Sequence, residues 1–296
     1  MLSCPNSFDE VNVADTSDNL PERPCLDYVR EHAKDVTAAL GEAILKDDPA
    51  LATATADDGM TALHYAACAG NRDLARILLR HEADVEARDV RGNSALVHAS
   101  HGGPWKPKCD DVTVELLLRH HAEVDLFSAA MIGRTDLIAA QLEQHGHAID
   151  ALDRHGKTAL WHAAHNDQFD AVKFLVERGA DVSLSDPVGT AALHRTSQQC
   201  SDELIKFLIA SGADAHLCCH VACGDEEGTR RALEQNPDAA NQIVYEFDAK
   251  GYAIHSGQLG TLRILLQHGC RLSEQDRREI RRIYANRQEI IDELLV

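Results

Sequence analysis

The stretch Asp57-Asp58-Gly59-Met60-Thr61-Ala62-Leu63-His64 sets a turn glycine just ahead of an apolar helix start, and the arrangement returns three times. Glycine recurs at Gly92, Gly156 and Gly189, followed by Ser94-Ala95-Leu96-Val97, Thr158-Ala159-Leu160-Trp161 and Ala191-Ala192-Leu193-His194. Gly59 to Gly92 and Gly156 to Gly189 are each a step of 33 residues. Asp89, Asp153 and Asp186, each three positions before a glycine, mark the turn between units. Behind every start lies a second apolar stretch, at residues 74–79, 114–118, 172–176 and 204–209. Leu74, Ile77 and Leu78, like Leu204, Phe207 and Leu208, follow the three-and-four spacing of one helical face. The earlier element is shorter, and its pairs Ala66-Ala67 and Ala163-Ala164 let neighbouring helices approach closely. Two helices and a turn cannot bury both faces alone. Stacked copies can, sharing a core in which each unit touches mainly its neighbours.

The second stretch runs into Gly179-Ala180-Asp181, Gly212-Ala213-Asp214 or His121-Ala122-Glu123, with Glu82-Ala83-Asp84 as a variant. This period and order of signals resemble the ankyrin repeat. The family's proline after the threonine is replaced by Ala62, Ala95, Ala159 and Ala192, which a first helical position tolerates. Full copies are expected at about 57–89, 90–125, 153–185 and 186–216. Shorter copies that keep both helices fall at 126–150 and 217–242. The segment 38–54 ends like the second of these, because Leu45 and Pro49 keep the spacing of Leu233 and Pro237, and a compact copy follows Asp248 and Gly251. The resemblance implies an all-α, ankyrin-like helical-hairpin solenoid with short turns between repeats and helical caps. Residues 1–24 form an acidic, flexible tail and 25–272 the array, whose first part, about 25–56, serves as an N-terminal cap with an amphipathic segment at 26–40. Residues 273–296 form a charged C-terminal helical cap with Ile280, Ile283, Ile290, Ile291 and Leu294 for packing.

Composition fits this picture. The chain has 296 residues and is 44% hydrophobic but only 4% aromatic, so a large core must be mostly Ala, Leu, Ile and Val. No apolar run is long enough for a membrane span, and the start lacks a basic flank with an apolar stretch, so a cytoplasmic protein, monomeric on its own, is expected. The net charge of −19 argues against nucleic acid, because phosphate-binding surfaces need clustered Lys and Arg. Basic partners are favoured at encounter, although a solvated acidic exterior would look the same.

The nine cysteines make an odd count without a framework, as in a reducing compartment. Cys218, Cys219, His220 and Cys223 are the alternative site, for a metal or for redox sensing, because Cys219 and Cys223 stand one helical turn apart. Tetrahedral zinc needs two further ligands from another element, and no second Cys-x-x-Cys supplies them. No cofactor is expected.

Among the 17 histidines, His64 and His194 take the family's usual position, where the ring ties turn to helix. In the register of Gly59, His98 and His162 coincide with Tyr65 and Arg195, while His101 and His165 coincide with Cys68 and Gln198. The resemblance places these on the outward face of the first helix, lining the concave groove. Spacing puts His98 with His101, and His162 with His165, on one helical face. They form either a solvated polar stripe or a groove whose charge changes near histidine's usual pKa of about 6.5.

The turn tips carry Asp57-Asp58, Val90-Arg91, Arg154-His155 and Pro187-Val188, which differ between copies while packing positions stay alike. An insertion holds Trp105 between Pro104 and Pro107. No His-Glu-x-x-His, phosphate-cradling glycine loop, Gly-x-Ser-x-Gly elbow or kinase signature is present, so no enzyme is expected. The resemblance implies a non-catalytic protein-interaction module that grips another protein through groove and tips. Its candidate contacts are Asp57, Asp58, Tyr65, Cys68, Val90, Arg91, His98, His101 and Trp105 in the first two full copies. Arg154, His155, Trp161, His162, His165, Val188, Arg195 and Gln198 are those of the last two.

Overall fold

A computed structural model describes residues 26–101, 111–144, 148–184, 192, 201–241, 243–244 and 247–295. The chain divides into two compact units, Met1–Val124 and Asp125–Val296.

In the first unit, α1 (Leu26–His32) and α2 (Ala38–Asp47) precede α3 (Ala62–Ala69), α4 (Arg72–Arg80), α5 (Ala95–Ser100) and α6 (Asp111–Arg119). The segment 26–40, expected as one amphipathic element, is two. Residues 33–35 turn and Thr37 restarts the helix, its hydroxyl accepting from the Leu40 N–H. Helices α1 and α5 flank α3, while α2 and α6 flank α4, so first and second helices form separate layers. Their sequences suit the layers. Ala62, Ala66, Ala67, Leu63 and Ala99 are wholly buried where α3 and α5 meet, and small side chains permit that approach. The second helices bury Leu74, Ile77, Leu78 and Leu117 along one face and leave charge on the other. Asn71 caps α4 and also donates to the carbonyls of Ala33 and Val36, both at 2.8 Å, tying this hairpin to the one before it.

The second unit continues with α7 (Leu126–Met131), α8 (Thr135–Gln144), α9 (Ala159–His165), α10 (Phe169–Glu177) and α11 (Asp202–Ala210). Then come α12 (Leu217–Ala222), α13 (Glu226–Gln235), α14 (Ala249–His255), α15 (Leu259–Gln267), α16 (Glu274–Ile283) and α17 (Gln288–Leu295). Helix α7 packs on α9, α8 on α10, α12 on α14 and α13 on α15. The shorter copies therefore pack helix on helix against the copy that follows each of them. Asp125 opens α7 with a reciprocal capping box to Ser128. Between α10 and α11, the Phe169 and Phe207 rings meet edge to face at 5.5 Å.

The parallel between Leu45-Pro49 and Leu233-Pro237 is structural. Asp48 and Asn236 adopt nearly the same backbone, φ −135°, ψ 88° and φ −142°, ψ 85°, and each is followed by a 3₁₀ turn beginning at the proline. A two-residue pairing, β1 (Ile243–Val244) with β2 (Phe247–Asp248), precedes α14, and Asp248 caps that helix. The C-terminal segment, expected as one helical stretch, breaks at residues 284–287, where Tyr284 turns inward at 8% exposure and ends α16. The tail at 1–24 lies outside the described residues.

Candidate functional site

The turns that separate full copies are closed by their own backbone. The Ala56 N–H donates to the Met60 carbonyl at 2.9 Å, Asp89 N–H to Asn93 O at 3.0 Å, and Asp153 N–H to Lys157 O at 2.9 Å. Aspartate then clamps two of these turns from inside. Asp89 Oδ1 accepts from the Arg91 and Asn93 N–H groups at 2.9 and 2.8 Å, and Asp153 Oδ1 from His155 and Lys157 at 2.7 and 2.9 Å. The second oxygen reaches the following helix: His98 Nε2 donates to Asp89 Oδ2 at 2.9 Å, and His162 Nε2 to Asp153 Oδ2 at 2.8 Å.

Burial by itself would raise these carboxyls. The hydrogen bonds outweigh it, so Asn93 and His98 hold Asp89 below the usual carboxylate range. His162 and the backbone of Lys157 and His155 bring Asp153 down to about 2. The turn at Asp57-Asp58 reaches the same end differently, since Ala56 stands where the others have aspartate. Asp58 Oδ1 accepts from the Met60 N–H at 3.0 Å and from the Tyr65 hydroxyl at 3.3 Å. Its carbonyl takes the Val90 N–H at 2.9 Å, which joins consecutive tips of the first unit.

His64 plays the part expected of it. Its Nδ1 accepts from the Thr61 N–H at 3.0 Å, so the ring proton sits on Nε2 and faces the Asn93 carbonyl of the next turn at 3.1 Å. Burial pushes its pKa down, against the pull of that carbonyl. Val97 and Trp161 replace this histidine in the next copies, and there the aspartate–histidine pair takes over the tie between turn and helix.

The candidate contacts separate by exposure. Asp57, Val90, Arg91, Arg154 and His155 stand exposed on the tips, Val90 at 73%. Asp58, Cys68, His98, His101 and His165 are half-buried. Tyr65, Trp161 and His162 are buried at 3 to 4% exposure, which corrects their expected place on an open groove. The reason is the closed turn, which draws the Tyr65 and His162 side chains onto its carboxylates and leaves Trp161 beneath Lys157, whose Nζ lies 3.8 Å from the ring centroid. Phe127 of the shorter copy adds an edge-to-face contact with His162 at 5.9 Å. The expected pairing of His98 with His101 on one helical face is also corrected, because α5 ends at Ser100 and His101 is extended, its Nδ1 against the Val97 carbonyl. His165 remains on α9, its ring 5.0 Å from that of Trp161. Trp105, Pro187, Val188, His194, Arg195 and Gln198 lie outside the described residues.

Asp89 and Asp153 matter more than their assignment as simple turn markers implied. A histidine nine positions after the turn aspartate, in two copies, is the signal that finds them.

The cysteine cluster is packing. Cys218, Cys219 and Cys223 are buried, and burial pushes the first two thiols up to about 12 and raises the third, which opposes the thiolate that redox or metal chemistry needs. His220 Nδ1 is held by Asp225 at 2.8 Å. Among the described residues, no group of three or more His, Cys, Asp and Glu side chains is placed to hold a metal ion, and no helix is long and apolar enough to cross a membrane.

Comparison with known proteins bears on the same residues. The family profile described as ankyrin repeats matches in three copies, at 38–128, 106–186 and 126–217, over more than half of the chain. The potassium channel AKT2/3 of Arabidopsis thaliana is 35% identical over 136 residues, covering 43% of this chain and 16% of the channel. Ankyrin repeat and SAM domain-containing protein 6 of Danio rerio is 30% identical over 140 residues, covering 43% of this chain and 18% of that protein. The chain thus spans less than a fifth of either relative. A chain in the solved complex of the predatory endopeptidase Bd0816 from Bdellovibrio bacteriovorus with immunity protein Bd3460 aligns with a TM-score of 0.41 and 24% identity. That alignment covers 58% of this chain and 91% of the other.

Proposed function

This chain belongs to the ankyrin-repeat family, and from that premise we propose that it is a non-catalytic docking module that holds a partner protein on its turn tips. Ankyrin repeats are in general protein-interaction modules. The observation that carries the finer reading is the contrast within each turn. Its frame is fixed by backbone and carboxylate hydrogen bonds, while its tip presents dissimilar exposed side chains, Asp57, Val90 with Arg91, and Arg154 with His155. A fixed frame loses little conformational entropy on docking, so a few anchors suffice. Val90 is the apolar anchor in the first unit and Arg154 the charged one in the second. Cys68, His101 and His165, at the C-terminal ends of the first helices, are half-buried and not open enough to lead.

Photo-crosslinking tests this directly. A crosslinking residue at Val90 should capture a protein from native extract, and Val90→Asp with Arg91→Glu should lose it while the melting curve is unchanged; Arg154, in the second unit, is tested in the same way by itself. Capture that proceeds equally from Glu203, on the exposed start of α11, would overturn the assignment.

A further inference from the structure

His64 is wholly buried, and both nitrogens of its ring are already committed. Nδ1 accepts from the Thr61 N–H at 3.0 Å and stands 2.9 Å from the Thr61 hydroxyl, while Nε2 reaches the Asn93 carbonyl at 3.1 Å. A second proton has one place to go, Nδ1, where it sets a donor against the Thr61 N–H. The new donor can turn to the Thr61 hydroxyl, but the Thr61 backbone, in a residue 4% exposed, then loses its acceptor. Burial is the largest influence against the charge; the Asn93 carbonyl favours it, His98, edge-on at 5.4 Å, repels it, and Asp89 attracts it. The other elements against α3 add little. Helix α1 brings Asp27 and Arg30 near Tyr65, stacks Tyr28 on His32 at 4.4 Å and leaves Glu31 exposed. On α4, Arg72, Asp73 and Arg80 are exposed and Arg76 pairs with Asp73 at 3.1 Å, and the turn at 49–52 holds no ionisable side chain.

Thr61 leads out of the turn that carries Asp57 and Asp58, and the Asp58 carbonyl holds the Val90 N–H at 2.9 Å, so both tips of the first unit lean on this joint. Val97 and Trp161 stand in the place of His64 in the next two full copies, which therefore lack it. We propose that His64 is an acid-sensitive latch on the docking tips of the first unit: in mild acid it takes up a proton, frees Thr61 and unpairs the Asp58 and Val90 tips, while the Arg154 tip of the second unit stays closed. The regulatory meaning rests on the reading of these tips as a docking surface. The fold resists the proton, so the stability that neutral His64 contributes is fully present above histidine's unperturbed value of about 6.5 and is lost as pH falls below it. Asp89, held below the usual carboxylate range, stays ionised through that window. Its clamp on the Arg91 and Asn93 N–H groups persists, and its bond from His98 strengthens when that ring is charged. What opens is the joint between tips, not the Asp89 turn.

Backbone hydrogen exchange of the full chain, expressed as protection relative to the free-chain rate at each pH, reads the latch. From about pH 7.5 to about pH 5.5 the Thr61 and Val90 amides should lose protection about three- to tenfold. Arg91 and Asn93, and His155 and Lys157 in the second unit, should keep theirs, because their aspartates stay ionised. His64→Asn sets a non-titrating oxygen where Nδ1 stands, so Thr61 should be equally protected at both pH values. His98→Gln removes the repelling ring and should move the transition to higher pH. Should His64→Asn fail to fold, the wild-type ring decides: nitrogen NMR should find the neutral His64 proton on Nε2, and uptake at Nδ1 in step with the loss at Thr61. Equal protection of Thr61 and Val90 at both pH values overturns the proposal, as does a loss shared equally by His155 and Lys157, or a pH dependence that survives in His64→Asn. Failure of Val90 to capture a partner at neutral pH would remove the docking role alone, since exchange reads the latch without a partner.

Discussion

At the scale of single residues, the aspartate–histidine pairs turn two expected groove histidines into parts of the frame. Asp153 is the sharper case, because its carboxyl is brought down to about 2, well below the usual carboxylate range. A carboxyl with a depressed folded pKa contributes stability that is fully present above its unfolded pKa of about 3.9 and is lost as pH falls through the folded value. The shift corresponds to about 2 kcal/mol, an upper figure for a side chain 13% exposed. Asp153→Asn should therefore lower the urea-unfolding free energy by about 1–2 kcal/mol at pH 7, and the gap to the wild type should close as pH falls from about 4 to about 2. A gap that stays constant across that window would show that the charge is not what Asp153 contributes. Sequence alone exposed the tips, because residues flanking a turn glycine are open by construction. It misplaced His162 and Tyr65, because a helical projection shows only which residues share a face. The turn folds back over that face and offers a carboxylate nine residues away in sequence for His162 and seven for Tyr65.

At the scale of elements, the period and the three-and-four apolar spacing were legible because both are local, and the stretches 74–79, 114–118, 172–176 and 204–209 all fall inside observed second helices. Helix breaks were less so. Apolar spacing continues through residues 33–37 and 284–287, and only Thr37 as a cap and Tyr284 as an inward stop divide the segments. The turn at Gly59 makes the element argument testable. Gly59 has φ +76°, and a Cβ there would lie 2.9 Å from the Val90 nitrogen, the atom that bonds to Asp58 O and links consecutive tips. Gly59→Ala thus meets both the left-handed backbone penalty and a backbone collision, and should cost about 2–3 kcal/mol. Gly179, at φ +92° with nothing within 4 Å of its Cβ position, meets the first penalty alone, and Gly179→Ala should cost about 1–2 kcal/mol. Thermal unfolding of the two variants measures the difference; equal losses would mean that the tip-to-tip contact yields freely.

At the scale of the whole molecule, the balance lies between diffuse repulsion and local pairing. A charge of −19 spread over 296 residues repels itself, and the repulsion reaches further as salt is removed, since the screening length grows from about 10 Å at 0.1 M to about 30 Å at 0.01 M. Opposing it are ion pairs such as Arg80 with Glu42 at 2.6 Å and Arg134 with Asp136 at 2.8 Å, whose side chains are 40 to 62% exposed. Pairs that open to water contribute about 0–1 kcal/mol each, so their loss to screening is small. The buried ties, such as His64 to Asn93 and His162 to Asp153, act at contact distance and screen far less. Repulsion is then the largest salt-sensitive quantity. Raising salt from about 0.01 M to about 0.1 M should lift the melting temperature by a few degrees. Calorimetry at constant pH in a weakly binding salt decides the sign, and a falling melting temperature would mean that surface ion pairs, rather than net charge, govern the stability of the array.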